Sequence, residues 1–182
     1  MSISLVSPTT PDVCDKGRRR RTFTAADIWK AIPLGILDSG LAYLRAIEAS
    51  GYIVEGGYDA EQILSSIVPD RRRTTVALAN VSITDLGFGA TADYRDVYDR
   101  AQRRGLRLCS PEVGPALRLN HRNQSLDEPL LMAMTPISNP AGGRLRRAIW
   151  ELRYMSLASI PIEAGTYFCD EDRLMFVLPI QH

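Results

Sequence analysis

The chain has 182 residues, 45% of them hydrophobic, and a formal net charge of +1. That length suggests one domain, or one with a small extension, able to bury its core without covalent staples. The near-neutral balance excludes a global field that would steer the protein to nucleic acid or membrane.

Residues 1–22 are polar, contain prolines and end in the basic run Arg18 to Arg21. Asp12, Asp15 and the prolines argue against an amphipathic presequence, and neither a secretory core nor a membrane-spanning run is visible. A disordered tail is expected. The three cysteines, Cys14, Cys109 and Cys169, are odd in number and lie at no metal or redox spacing. That pattern fits a reducing cytoplasm better than a disulfide framework.

Residues 23–69 predict a subdomain of short helices. Thr24 and Asp27 suit a helix start, followed by Ile28, Trp29 and Ile32 as an apolar stripe, with Pro33 as the stop. Ser39 opens a second helix, with Leu37, Leu41, Leu44 and Ile47 on one face and Gly51 as its left-handed end. Tyr52 to Val54 is a short extended piece. Asp59 to Gln62 opens a third helix with a capping-box pattern; it carries Ile63, Leu64 and Ile67 and ends before Pro69. This last helix lacks the basic face of a DNA-recognition helix, so a packing role is the better reading.

The charged stretch Asp70 to Thr74 marks a boundary, and residues 74–182 predict an α+β domain. Val76 to Ile83 alternates as a strand. Leu86 to Gly89 turns the chain, and Thr91 caps a helix whose buried stripe is Tyr94, Val97, Tyr98 and Ala101. On its exposed face Asp96 is placed to pair with Arg100 and Asp99 with Arg103. Gly105 ends it and Leu106 to Cys109 starts a strand, joined by a right-handed crossover if both strands share a sheet. Leu130 to Ile137, apolar on both faces, suits a central strand. Arg144 to Tyr154 alternates as a strand, with helical spacing of Leu145, Ile149 and Leu152 as competitor. Met155 to Ile162 and Arg173 to Leu178 complete the strands, with an acidic turn at Cys169 to Asp172. The fold class is therefore α+β: N-terminal short helices, then a strand-helix-strand unit extended by antiparallel strands.

Several segments together carry a resemblance: Trp29-Lys30 with Ile32 and Leu34-Gly35, Leu86 to Thr91, Tyr98 to Ala101, Leu108-Cys109, Glu112 to Pro115, Leu117 to Leu119, and Asp172-Arg173 through Pro179. They resemble a family of uncharacterised bacterial proteins with a Leu-Cys-Pro, Glu-Val-Gly-Pro, Leu-Arg-Leu motif. The resemblance covers most of the chain from about Trp29 and brings no established activity. This chain departs from the motif at Ser110, at Asn120-His121 and at Glu128-Pro129. A site lined by those positions implies a different specificity here.

Candidate chemistry centres on Ser110 to Asn123. Cys109 could be a thiolate nucleophile with His121 as base, although a buried structural thiol is the commoner state. Glu112 and Arg118 flank Gly114-Pro115. If the piece is extended, Leu117 and Leu119 face the core while Arg118 turns toward Glu112. That pair would close the loop, or Arg118 would bind a carboxylate or phosphate. Asp127 and Glu128 with Glu112 match no metal-ligand spacing, and no cofactor is implied. Arg71, Arg72 and Arg73 suit solvated loops better than phosphate contacts. Two functions follow. The favoured one is a non-catalytic binding or accessory protein acting through residues 110–123, with Asn120, Asp127 and Arg71 to Arg73 as further contacts to an unknown protein or small molecule. The alternative is a small hydrolase or nuclease using Glu112, Arg118, His121 and Cys109.

Overall fold

The computed structural model describes residues 22–69, 72–139 and 146–179. Cys14, Arg18 to Arg21, Asp70, Arg71, Arg144 and His182 lie outside the described residues. The protein is α+β. Its strands are β1 Lys30–Leu34, β2 Ile53–Glu55, β3 Thr74–Val81, β4 Thr91–Asp93, β5 Leu130–Met132, β6 Ile137–Asn139, β7 Arg146–Leu152, β8 Ser156–Pro161, β9 Tyr167–Cys169 and β10 Arg173–Leu178. Its helices are α1 Gly40–Ala49, α2 Gly57–Ser65, α3 Tyr94–Arg103 and α4 Val113–Asn120. The main sheet runs β1-β3-β10-β5-β7-β8-β2, with β6 paired to β7, while β4 and β9 form a separate ribbon. The β5–β10 and β2–β8 pairs are parallel and the others antiparallel.

Residues 23–69 do not form a separate helical unit, because β1 pairs with β3 and β2 with β8 in this sheet. The Thr24–Asp27 capping box forms, but it closes only a 3-10 turn over Ala25–Asp27. Ile32 and Leu34 are then buried as strand residues. Pro33 stops no helix. It is tolerated because β1 ends the sheet, where a residue without an N–H can face away from the ladder. It also blunts that edge against pairing with another chain.

α1 keeps its Ser39 cap, whose side chain accepts from the Ala42 N–H, but buries Gly40, Tyr43 and Ile47, leaving Leu41 exposed. Gly40 fixes that rotation, since a Cβ there would lie 2.0 Å from the Leu64 carbonyl oxygen of α2. α2 has no capping box; Gly56, at φ 111°, precedes it, and Asp59 sits in its first turn. α3 buries the predicted Tyr94, Val97, Tyr98 and Ala101, but its cap is Asp93, because Thr91 pairs across to Cys169 in the ribbon. Arg103 reaches Asp99 at 3.9 Å, whereas Arg100 lies over the Phe88 ring at 4.0 Å. Leu106 to Cys109 makes isolated bridges rather than a strand. Leu130 to Ile137 is broken into β5 and β6, and Pro136 between them cannot continue a ladder.

The sheet is covered on both faces. Alternation along β10 sets Met175 and Phe176 on opposite sides. Phe176 meets Tyr98 of α3, with ring centroids 6.1 Å apart. Met175 shares its face with Met132, Leu130, Leu152 and Trp150 through the registers of β10, β5 and β7. Trp150 meets α4 at Gly114, and α4 in turn packs on α1 and β1. The segment richest in candidate chemistry is therefore a core helix on one face of the sheet.

Candidate functional site

Residues 110–123 are a turn and a helix rather than an extended loop. The Val113 N–H donates to the Ser110 carbonyl at 3.0 Å, and α4 begins with Val113, Gly114 and Pro115. Proline is harmless in the first turn, where its missing N–H has no partner to lose. Val113 to Arg118 are all buried.

Glu112 stands at the N-terminal end of α4 and is 5% exposed. Its Oε1 accepts hydrogen bonds from the Gly35 N–H at 2.7 Å and from the Tyr43 hydroxyl at 2.6 Å. Gly35 reaches this position with φ 67°, a backbone that glycine adopts without strain. Burial, then the bond and charge of Glu112, raise the Tyr43 pKa. Two donors and a helix N-terminus compensate this carboxylate, which forms no ion pair within the described residues.

Arg118 does not meet Glu112. Six helical residues carry the chain roughly 9 Å along the axis and round to another side, and Arg118 is used at the opposite end. It is fully buried. Nη1 donates to the Gln124 Oε1 at 3.1 Å, to the Arg153 carbonyl, and to the Tyr154 carbonyl at 3.3 Å. Nη2 donates to the His121 carbonyl, and the guanidinium lies over the Tyr52 ring at 4.1 Å. Burial lowers its pKa, opposed by Tyr52. Gln124 continues the network, its Nε2 donating to the carbonyls of Glu128 and Leu152 at 2.9 and 2.8 Å. One guanidinium thus joins the end of α4 to the β7–β8 hairpin.

Cys109 and His121 also go to different partners. The Cys109 thiol is 4% exposed and donates to the Met175 carbonyl at 3.2 Å; burial pushes its pKa up to about 12. It is no thiolate at neutral pH. Cys169 is half-buried, and both are free thiols. A thiol reagent at pH 8 should therefore leave Cys109 unmodified in the native protein and label it only after denaturation. Rapid native labelling, located by peptide mapping, would refute the buried placement.

The His121 ring packs edge-on against Trp29 at 5.0 Å, and Lys30 Nζ lies 5.9 Å from the centre of the same indole. Partial burial lowers the His121 pKa, with the positive charges of Lys30 and Arg118 adding to the shift. The folded state therefore resists protonation more than the unfolded chain, whose histidine titrates near ~6.5. The unfolded chain binds the proton first as pH falls, so stability drops below that value until the depressed native pKa is passed. The melting temperature of wild type should fall more between pH 7 and pH 5 than that of His121→Asn. Parallel curves would reject the shift.

Of the remaining candidates, Asn120 donates from its side chain to the Ala116 carbonyl of its own helix at 2.8 Å. Asp127, Arg72 and Arg73 are exposed. Among the described residues no three His, Cys, Asp or Glu side chains are grouped to hold a metal.

The structure adds residues that sequence reasoning passed over. Tyr154 and Met155 form a two-residue hairpin turn closed by Arg153 and Ser156 backbone bonds. They are 44% and 47% exposed, and Ile53, whose N–H donates to the Met155 carbonyl, is 60% exposed. Such turns favour Gly, Asn or Asp, so an exposed Tyr-Met pair was the available signal. No family model, curated protein or solved structure matches this chain.

Proposed function

We propose that this is a non-catalytic binding or accessory protein of a bacterial cytoplasm, acting through the surface around His121 and the β7–β8 hairpin. The observation that carries the reading is the Arg118 clamp. A single buried guanidinium bonds the carbonyls of His121, Arg153 and Tyr154, so the half-buried end of α4 and the exposed hairpin tip are held side by side. A surface fixed before encounter loses less entropy on binding. The residues it presents, Trp29, Tyr154, Met155 and Ile53, include the aromatic and Met types enriched at interfaces. Trp29 is 36% exposed. Asn120 and His121, two departures from the bacterial family motif, lie on or beside this surface, in keeping with a partner particular to this chain.

The hydrolase or nuclease alternative has less support. Glu112 is committed to Gly35 and Tyr43, Arg118 to carbonyls, and His121 packs on Trp29. Nucleic acid is also less favoured, and no described helix is long and apolar enough to cross a membrane. A photo-crosslinking residue at position 154, introduced in living bacterial cells, should capture a discrete partner. The same residue at exposed Val68 should not. Substrate turnover abolished by Glu112→Gln or His121→Ala, in variants that melt like wild type, would replace the binding reading with the enzymatic one.

A further inference from the structure

We infer that this surface takes an acidic-apolar peptide segment of a partner protein, a carboxylate lying against Lys30 and His121 and its apolar neighbours on Tyr154, Met155 and Ile53. The inference rests on the binding reading above and specifies the chemistry of the partner.

The charge distribution supplies the argument. The charged groups acting on His121 are Lys30 from β1 and Arg118 from α4, both positive. Arg118 is bonded to a side-chain amide and three carbonyls, none of which neutralises it. Lys30 forms no ion pair within the described residues, its ammonium standing beside the Trp29 ring. Arg122, the next residue after His121, is exposed. Lys30 on this side is therefore a cation with no ion pair among the described residues, and an incoming carboxylate would provide one. Lys30 offers a flexible cation and the Trp29 indole an adjacent apolar wall.

The hairpin side carries carboxylates. Arg153, its exposed cation, is shared between Glu55, at 3.3 Å, and Glu151, while Arg118 is buried beneath the turn on its carbonyls. An acidic residue is repelled from that flank and drawn to Lys30, which gives the bound segment a direction. Between the flanks Tyr154, Met155 and Ile53 provide apolar contact area. Met and Tyr adapt to varied side chains, whereas an unstacked nucleic-acid strand requires several phosphate contacts and stacking platforms in sequence. One lysine, one arginine and a histidine packed on Trp29 fit a short acidic peptide better.

The inference is tested by selecting a displayed random-peptide library on the immobilised full-length protein. Wild type should enrich Asp or Glu next to aromatic or aliphatic residues. Lys30→Glu should discard the acidic preference, and Tyr154→Ser should discard the apolar one, both with unchanged melting. A selected peptide should change Trp29 emission saturably, the other tryptophan, Trp150, being fully buried. Its affinity should fall at least about tenfold, some 1.4 kcal/mol, in Lys30→Glu, and should weaken with added salt. Selection without acidic residues, selection indifferent to Lys30→Glu, no selection above background, or tighter binding of an oligothymidine would each overturn the inference. If crosslinking at position 154 still captures a partner, the binding reading survives this one's failure. If crosslinking captures nothing and selection also fails, both fall.

Discussion

Arg118→Met should melt far below wild type, while Glu112→Gln should melt only slightly below it. Removing the guanidinium leaves the carbonyls of His121 and Tyr154 and the amide oxygen of Gln124 without this donor, and leaves the Arg153 carbonyl with the Ser156 N–H at 3.3 Å. A buried polar group left unsatisfied costs about 1–3 kcal/mol. Water can reach some of these part-buried acceptors, which places the total at roughly 3–5 kcal/mol. In a domain of this size that corresponds to roughly 2–4 °C per kcal/mol. Arg118→Lys should recover part of the loss at most, because one ammonium cannot bond four acceptors arranged around a planar fork. Glu112→Gln retains an amide oxygen that can accept from the Gly35 N–H and Tyr43 hydroxyl, so its cost is about 1 kcal/mol. The two changes should be additive, since they act at opposite ends of α4. Equal losses with strong coupling would instead indicate the direct Glu112–Arg118 ion pair expected from an extended segment. Thermal melts of the four proteins decide between the two arrangements.

That contrast shows which features a sequence can and cannot reveal. The buried stripe of α3 was legible because it repeats at helical spacing against a strongly charged opposite face, whereas its Asp93 cap and the Arg100–Phe88 contact were not. β3, β7, β8 and β10 were legible because alternation or continuous apolarity marks them. β1 was not, since Ile28, Trp29 and Ile32 fit a short helix as well as a strand. The choice is made by β3, whose Thr74 to Leu78 pairs with Leu34 to Lys30, and a local window does not contain it. α4 was misread because Gly114-Pro115 signals a bend in most settings and is neutral only in a helix's first turn. Arg118 stands out in the sequence, but its contacts are backbone carbonyls such as that of Arg153, 35 residues away. Every residue carries a carbonyl, so acceptors of this kind leave no trace in the choice of side chain. The apolar hairpin tip was different: Tyr154-Met155 contradicts the usual turn chemistry and was available to be noticed.

The clamp also depends on how closely α4 approaches the sheet, and Gly114 sets that distance. A Cβ added there would lie 2.5 Å from Cδ1 and 2.7 Å from Cγ of Trp150. Trp150 is fully buried, and its Nε1 donates to the Pro111 carbonyl at 3.0 Å. The indole cannot swing aside without losing that bond, and a close-packed interior has no space to receive it. Gly114→Ala must therefore shift α4, rotate Trp150, or do both. Overpacking of this kind costs roughly 1–3 kcal/mol, and losing the indole hydrogen bond adds about 1–3 kcal/mol. Together they make this methyl group among the most damaging small changes available to the molecule. Ala itself is a better helix former than Gly by about 1 kcal/mol, so destabilisation would run against propensity and point to the contact with Trp150. Trp150→Phe should also destabilise, through lost volume and the lost bond. The double variant should nevertheless cost less than the sum of the singles, because the smaller ring makes room for the methyl group. Denaturant unfolding of the three variants measures that coupling. Full additivity, or a Gly114→Ala variant as stable as wild type, would mean that α4 does not sit against Trp150 and that the geometry placing His121 beside the hairpin is incorrect.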